Sequence, residues 1–211
     1  MVWTIVVAAG TGSRFGRLKQ YETLGDRRVI DWALQAARTV SDGIVLVVPP
    51  DAVGRREAGV EAIVPGGATR SQSVRAGLAA VPPEVDVVLV HDAARPLASV
   101  ELFDAVVAAV GNGADAAIPG VQPVATIKRV ASGGRVAETL DRDALVEVQT
   151  PQAFRASALR AAHEHEPDAT DDAALIEAAG GTVVVVPGEA SNLKLTHPHD
   201  LDVARVLLAA R

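Results

Sequence analysis

Cysteine is absent from the 211 residues, and that one omission removes disulfides, thiolate zinc sites and iron–sulfur clusters together. It suits a protein kept in a reducing cytoplasm. A surplus of positive charge is missing as well, since 20 basic residues face 26 acidic ones for a formal net charge of −6. Non-specific nucleic-acid binding needs a basic face to neutralise phosphates, so no nucleic-acid partner is expected. The apolar stretch from Val2 to Ala9 is too short to span a bilayer and lacks the basic flank of a signal peptide. It reads as a buried strand, and no membrane partner is expected. Lysine is scarce: 17 of the basic residues are arginine, and only Lys19, Lys128 and Lys194 are lysine. Either this is chance, or those three positions need a compact ammonium that a planar guanidinium replaces poorly.

What remains is ordinary globular composition, 49% hydrophobic and 22% charged, enough for one domain over residues 1–211 with a sizeable core. Short runs rich in Val and Ile predict buried strands over 4–8, 44–48, 60–64, 87–90, 114–119 and 182–186. Helical periodicity fills the gaps over 29–40, 70–81, 100–110, 156–165, 171–179 and 198–210, with Pro198 in a first helical turn. Apolar strands alternating with helices imply an α/β fold whose mostly parallel sheet is covered on both faces. Residues 121–148 break the rhythm with Pro123, Gly133 and Gly134. They read as a protruding β-hairpin arm turning at 132–134, for which a second copy of the chain is the simplest partner.

Three segments carry candidate chemistry. After the first strand comes Ala8-Ala9-Gly10-Thr11-Gly12-Ser13-Arg14-Phe15-Gly16, a turn whose backbone N–H groups can approach a phosphate closely. It is not a dinucleotide fingerprint, because Phe15 stands where the third glycine belongs, and it is not a P-loop, because Arg17-Leu18 follows Gly16. It does bring Arg14 and Lys19 over one loop, as a triphosphate requires, although a tight turn with two surface cations would look the same. A second turn, Gly66-Gly67-Ala68-Thr69-Arg70-Ser71-Gln72-Ser73, opens a helix that can hold a base edge, ribose or phosphate, with Thr69 or Ser71 as its cap. The third segment, His91-Asp92-Ala93-Ala94-Arg95-Pro96, follows a strand, where ligands of open α/β sheets collect. Asp92 suits Mg²⁺, and Arg95 suits a phosphate or an ion pair with Asp92. Residues 191–196 alternate like a sheet edge, which would put Asn192, Lys194 and Thr196 on one face. His163 with His165 and His197 with His199 complete no metal set and read as solvated or capping residues.

Taken together, the chain resembles the 2-C-methyl-D-erythritol 4-phosphate cytidylyltransferases of the non-mevalonate isoprenoid pathway. The matching elements are Ala8-Ala9-Gly10-x-Gly12-x-Arg14, Lys19-Gln20-Tyr21, Gly66-Gly67-x-x-Arg70-x-x-Ser73 and His91-Asp92-Ala93-Ala94-Arg95-Pro96. Further on come Thr126-Ile127-Lys128, Asp141-Arg142, Thr150-Pro151-Gln152, Thr170-Asp171-Asp172 and Asn192-Leu193-Lys194-Leu195-Thr196. The resemblance covers essentially the whole chain, and all three lysines fall inside it.

It implies a Rossmann-like, glycosyltransferase-A-like nucleotidyltransferase fold. It also implies CTP and methylerythritol phosphate as substrates, Mg²⁺ or another divalent cation as cofactor, and a homodimer interlocked through the 121–148 arm. Arg14, Lys19, Arg142 and Lys194 would be catalytic. Ala8, Ala9, Gly10, Thr11, Gly12, Gly66, Gly67, Arg70, Ser73 and Ala93 would bind nucleotide. Asp92 would hold the metal. With it, Arg95, Thr126, Arg142, Thr150, Thr170 and Lys194 would bind the second substrate, Thr126 and Arg142 reaching it from the partner.

The chain departs from the family's usual pattern at Leu18, where proline is commoner, in a shorter stretch from Arg14 to Lys19, and at Asp172, where glutamate is commoner. No cyclase domain of the kind found in fused relatives is expected. The rival readings are a ribitol 5-phosphate or other polyol-phosphate cytidylyltransferase, an NAD-binding oxidoreductase and a non-catalytic nucleotide sensor.

Overall fold

Gly43–Val48 is six residues of unbroken apolar chain with every one buried, and the sheet is assembled around such strands because only a covered sheet hides them from water. The computed structural model describes residues 1–12, 15–55, 57–165 and 168–211. In chain order, β1 (Val2–Val7) passes through the first glycine turn to a small hairpin, β2 (Thr23–Leu24) and β3 (Arg27–Arg28). Then come α1 (Val29–Val40), β4 (Gly43–Val48), β5 (Ala62–Pro65), α2 (Arg70–Ala79), β6 (Val87–Asp92), α3 (Val100–Gly111) and β7 (Ala116–Val121). A hairpin of β8 (Lys128–Val130) and β9 (Val136–Thr139) projects next. The chain returns through β10 (Glu147–Val148), β11 (Gln152–Arg155), α4 (Ala156–His163), α5 (Asp172–Ala178), β12 (Val183–Pro187) and α6 (Asp200–Ala209).

Eight strands form one sheet in the order β10–β7–β11–β6–β1–β4–β5, with β12 also paired to β7. The β1–β4, β1–β6, β4–β5 and β7–β12 pairs are parallel, while β11 runs antiparallel between β6 and β7. One face is covered by α1 and α3, through Ile30, Leu34, Leu102, Phe103 and Val106. The other is covered by α2, α4 and α5, through Val74, Leu78, Leu159 and Ile176. The helices form as the periodicity requires: α1 buries Val29, Ile30, Ala33, Leu34 and Ala37, one stripe at three- and four-residue spacing. Asp31 closes its start by accepting from the Arg28 N–H at 2.9 Å.

The α/β architecture with a mostly parallel, doubly covered sheet is therefore the one expected, with differences in detail. β11 was not anticipated; its four residues are too few to show alternation, and Pro151 precedes them. β6 runs on to Asp92, so His91 and Asp92 pair with Val6 and Val7 instead of lying beyond the strand. Residues 191–196 are not a strand. Asn192 and Leu195 are both fully buried, three apart, so the period-two alternation fails, and Asn192 does not share a face with Lys194. Leu195 instead anchors a third apolar cluster with Phe15, Leu24 and Leu201. α4 stops at His163, which is buried against Asp172 rather than solvated or capping. α6 begins at Asp200, whose carboxylate accepts from the N–H groups of Thr196 and His197 at 2.6 and 2.7 Å, leaving Pro198 outside the helix. In the arm, the turn falls at Ser132–Gly134 as expected, between the wholly exposed β8 and β9, while β10 at the arm's end pairs antiparallel with β7 in the main sheet.

Candidate active site

The carboxyl ends of β1, β5 and β6 open onto a cleft of about 450 Å³. From the first turn it is lined by Ala8, Ala9, Gly10, Thr11, Gly12 and Lys19, and from the second by Gly67, Arg70 and Ser73. Asp92 and Ala93 complete it from β6, and Lys194 and Thr196 from the loop before α6.

The first turn is shaped from beneath. Gln20 is buried in the short helical turn Lys19–Tyr21, and its amide donates to the carbonyls of Ala8 (2.7 Å) and Gly10 (3.3 Å). Gly12 sits at φ 67°, and a Cβ there would lie 2.0 Å from the carbonyl oxygen of Arg17, so only glycine closes the loop. Lys19 Nζ donates to the Leu195 carbonyl at 2.5 Å, tying the loop to the C-terminal segment. Ser13 and Arg14 lie outside the described residues, and with them the cation expected at position 14.

The second turn is a capping box. Thr69 accepts from the Gln72 N–H at 3.2 Å, while Gln72 accepts from the N–H groups of Ala68 and Thr69. Ser71, the other cap candidate, faces inward and exchanges hydrogen bonds with Ala169. Ser73 donates to the Thr69 carbonyl and accepts from the Gly67 N–H, so it fixes the turn from within. Gly66 lies behind the cleft lining; a Cβ there would come 2.2 Å from that of Ala9, so the two turns touch through this glycine.

Among the described residues, Asp92 is the only acid lining the cleft. Its Oδ2 accepts from Lys194 Nζ at 2.5 Å, and Arg70 Nε stands 3.7 Å from its Oδ1. Burial alone would raise its pKa, but the Lys194 ammonium and the Arg70 guanidinium outweigh that and hold the carboxyl well below the usual range. The ion pair with Arg95, the alternative to a phosphate role for that arginine, is not formed. Arg95 instead donates to the carbonyls of Asn192 (2.7 Å) and Val148 (3.3 Å). Behind Asp92, Thr150 Oγ1 accepts from the Asp92 N–H at 3.0 Å and lies 3.2 Å from His91 Nδ1. Burial pushes the His91 imidazole down to about 4, so it is neutral at pH 7. Its Nε2 faces the Arg95 carbonyl at 3.2 Å. Each group has a role when Nε2 carries the proton and Nδ1 accepts from the Thr150 hydroxyl.

Twelve expected site residues thus meet around one cleft: Ala8 to Gly12, Lys19, Gly67, Arg70, Ser73, Asp92, Ala93 and Lys194. Gly66, Arg95 and Thr150 frame it from behind. Thr170, exposed, immediately precedes Asp171, the residue that caps α5. Thr126 and Arg142 lie on the arm, where Arg142 donates to the Val124 carbonyl at 2.7 Å. Gln20 and Thr196 gained no role from the sequence. A buried polar residue reveals itself only once its carbonyl partners are in place.

This is the fold and strand-end cleft of a Rossmann-like nucleotidyltransferase. A family model described as 2-C-methyl-D-erythritol 4-phosphate cytidylyltransferase matches residues 2–210. A relative of that name from Frankia casuarinae is 47% identical over 218 residues, covering 99% of this chain and 81% of the relative. Among solved structures, a 4-diphosphocytidyl-2C-methyl-D-erythritol synthase from Anaerococcus prevotii is similar with a TM-score of 0.85 at 32% identity, covering 99% of this chain and 98% of that one. A 2-C-methyl-D-erythritol 4-phosphate cytidylyltransferase from Thermus thermophilus is similar at 0.84 and 33%, covering 97% and 98%. The chain belongs to the 2-C-methyl-D-erythritol 4-phosphate cytidylyltransferase family.

Proposed function

We propose that the protein joins CTP to 2-C-methyl-D-erythritol 4-phosphate, giving 4-diphosphocytidyl-2-C-methyl-D-erythritol and pyrophosphate in the non-mevalonate formation of isoprenoid precursors. The observation that carries this reading is the convergence of both glycine turns, Lys19, Lys194 and Asp92 on one cleft in a chain of this family. An oxygen of the acceptor phosphate attacks the α-phosphorus of CTP. The bond from that phosphorus to the bridging oxygen of the β-phosphate breaks, and pyrophosphate leaves with the electron pair. The nucleophile is already ionised at neutral pH, so the step needs no general base and no protein nucleophile, only positioning and charge neutralisation.

Backbone N–H groups from Ala8 to Gly12, with Arg14 and Lys19, take the triphosphate, and Gly66, Gly67, Arg70, Ser73 and Ala93 take the cytidine. Lys194, Arg95, Thr150 and Thr170 form the acceptor's side of the site, which Thr126 and Arg142 complete from the arm of a second copy. Residues 1–211 act as one nucleotidyltransferase domain, dimerised through the arm at about 121–148. Support for the dimer comes from the arm's apolar side chains: Val124, Val130 and Val136 are 88%, 58% and 55% exposed, and a surface of that kind is covered by a partner.

Asp92 would hold a divalent cation such as Mg²⁺, which takes one or two carboxylates plus phosphate oxygens and water, once its oxygen gives up the Lys194 ammonium. When bound, the ion neutralises phosphate charge. A cytoplasmic location is supported by the cysteine-free composition. Among the described residues, no helix is long and apolar enough to cross a membrane.

The test is Mg²⁺-dependent pyrophosphate release from CTP, ATP, GTP and UTP, each alone, with methylerythritol phosphate and with ribitol 5-phosphate. Release only from CTP with methylerythritol phosphate is the expected outcome. Strong release with ribitol 5-phosphate moves the protein to the sister activity, and tight CTP binding without release makes it a sensor.

A further inference from the structure

A buried polar contact with no part in the chemistry above lies where α4 ends against α5. His163 is 5% exposed, and its Nε2 stands 3.0 Å from Oδ1 of the fully buried Asp172. The other oxygen of Asp172 accepts from Arg70 Nη1 at 2.6 Å. Arg70 opens α2 and lines the cleft. Its Nε faces Asp92 Oδ1 at 3.7 Å, and Lys194 holds the second oxygen of Asp92. Imidazole, carboxylate, guanidinium, carboxylate and ammonium therefore succeed one another from the α4–α5 junction to the cleft.

His163 Nδ1 is buried without a hydrogen-bond partner. The carboxylate of Asp172 can only accept, so the ring nitrogen that faces it is the donor. Nε2 therefore carries the proton and donates to Asp172. That bond decides how Asp172 holds Arg70. Asp172 meets His163 through Oδ1 and Arg70 through Oδ2 alone, and the planar guanidinium is turned so that Nε faces Asp92. Without His163, both oxygens become available, the side-on bidentate pairing that guanidinium and carboxylate prefer takes over, and the Nε edge swings from Asp92.

We infer that His163 is a positioning residue for nucleotidyl transfer: by donating to Asp172 it keeps Arg70 turned toward Asp92, and so sets the charge that the cleft presents to a triphosphate. The inference rests on the proposed activity.

His163→Leu preserves volume and removes the donor, while His163→Gln carries an amide N–H at similar reach. Because the histidine acts through the side chains that line the site, His163→Leu should lower kcat/KM for CTP about 10- to 100-fold, the range for residues that orient a site's own contacts. His163→Gln should restore most of that loss, with both variants melting alike by circular dichroism. In an Asp172→Ala background, which leaves no acceptor for Nε2, His163→Leu should add nothing, because the bond is already gone. Unchanged kcat/KM in His163→Leu overturns the inference. So does equal loss in the leucine and glutamine variants, or a loss that adds in full to that of Asp172→Ala. A wild-type protein that releases no pyrophosphate from CTP and methylerythritol phosphate overturns the activity itself, an outcome separate from any of these.

Discussion

Moving one methyl group between the two glycine turns tests whether their contact shapes the site. In Gly66→Ala, the new Cβ would lie 2.2 Å from the Ala9 Cβ, 3.0 Å from Ser73 Oγ and 3.5 Å from Val47 Cγ1. Carbon atoms rest at roughly 3.5–4.0 Å, so the turns must part by more than an ångström. Overpacking of this kind costs about 1–3 kcal/mol. At about 2–4 °C per kcal/mol for a chain of this size, the melting temperature should fall by roughly 2–12 °C. The larger effect should be kinetic, because a displacement of about 1 Å among positioning groups can cost on the order of 10²-fold in rate. The double variant Ala9→Gly/Gly66→Ala puts the methyl on the other turn and removes the 2.2 Å clash. It should regain most of both losses, since one glycine is gained and one lost and their freedom in the unfolded chain offsets. Scanning calorimetry and pyrophosphate release on the wild type, the single and the double variant give the answer. A Gly66→Ala protein that melts and turns over like wild type, or a double variant no better than the single, refutes the reasoning.

Gln20→Leu strips the buried Ala8 carbonyl, and the exposed Gly10 carbonyl beside it, of their donor, the first a loss of about 1–3 kcal/mol when left unsatisfied; KM for CTP should rise about tenfold or more, and an unchanged KM speaks against Gln20 shaping the turn. Lys194→Met removes the ammonium from Asp92 and from the cleft, and by the standard of preorganised charge contacts should cost about 10²–10³ in kcat; a rate within a factor of two contradicts the role. Lys19→Ala should lose a similar amount, and nearly intact turnover there removes Lys19 from the chemistry. Asp172 titrates below the usual carboxylate range because, against burial, the His163 hydrogen bond and Arg70 favour its anion. Its contribution to stability is complete above the unfolded pKa of about 4 and is lost as pH falls through the lower folded value. Asp172→Asn should therefore flatten the fall in melting temperature between about pH 4.5 and 2; an unchanged slope denies the group its depressed pKa.

Elements with a complete local signature were legible in the sequence. α1 matches its expected span because the Val29, Ile30, Ala33, Leu34, Ala37 stripe and the Asp31 cap both lie within it. β4 was equally plain, since a strand buried on both faces is apolar throughout. β11 was not, because its pairing with β6 and β7 is set by distant chain. The same limit shows within the site. Ala8 to Gly12, Lys19 and Asp92 stood out by glycine spacing, by rarity or by position after a strand. Asn192 misled: its place in an alternating sextet suggests a surface strand, yet its amide is buried, donating to Gln149 and to the Thr150 carbonyl. His163 had no signature at all, since Asp172 is nine residues away and Arg70 reaches that carboxylate from 102 residues away.

Cytidylyl transfer to a phosphorylated acceptor is followed atom by atom in ³¹P NMR of the purified protein with CTP, Mg²⁺ and 2-C-methyl-D-erythritol 4-phosphate. The acceptor's phosphomonoester signal should be replaced by two mutually coupled diphosphate signals as one equivalent of pyrophosphate appears. A spectrum in which the monoester persists, whether CTP stays intact or is only hydrolysed to CMP, would contradict that transfer.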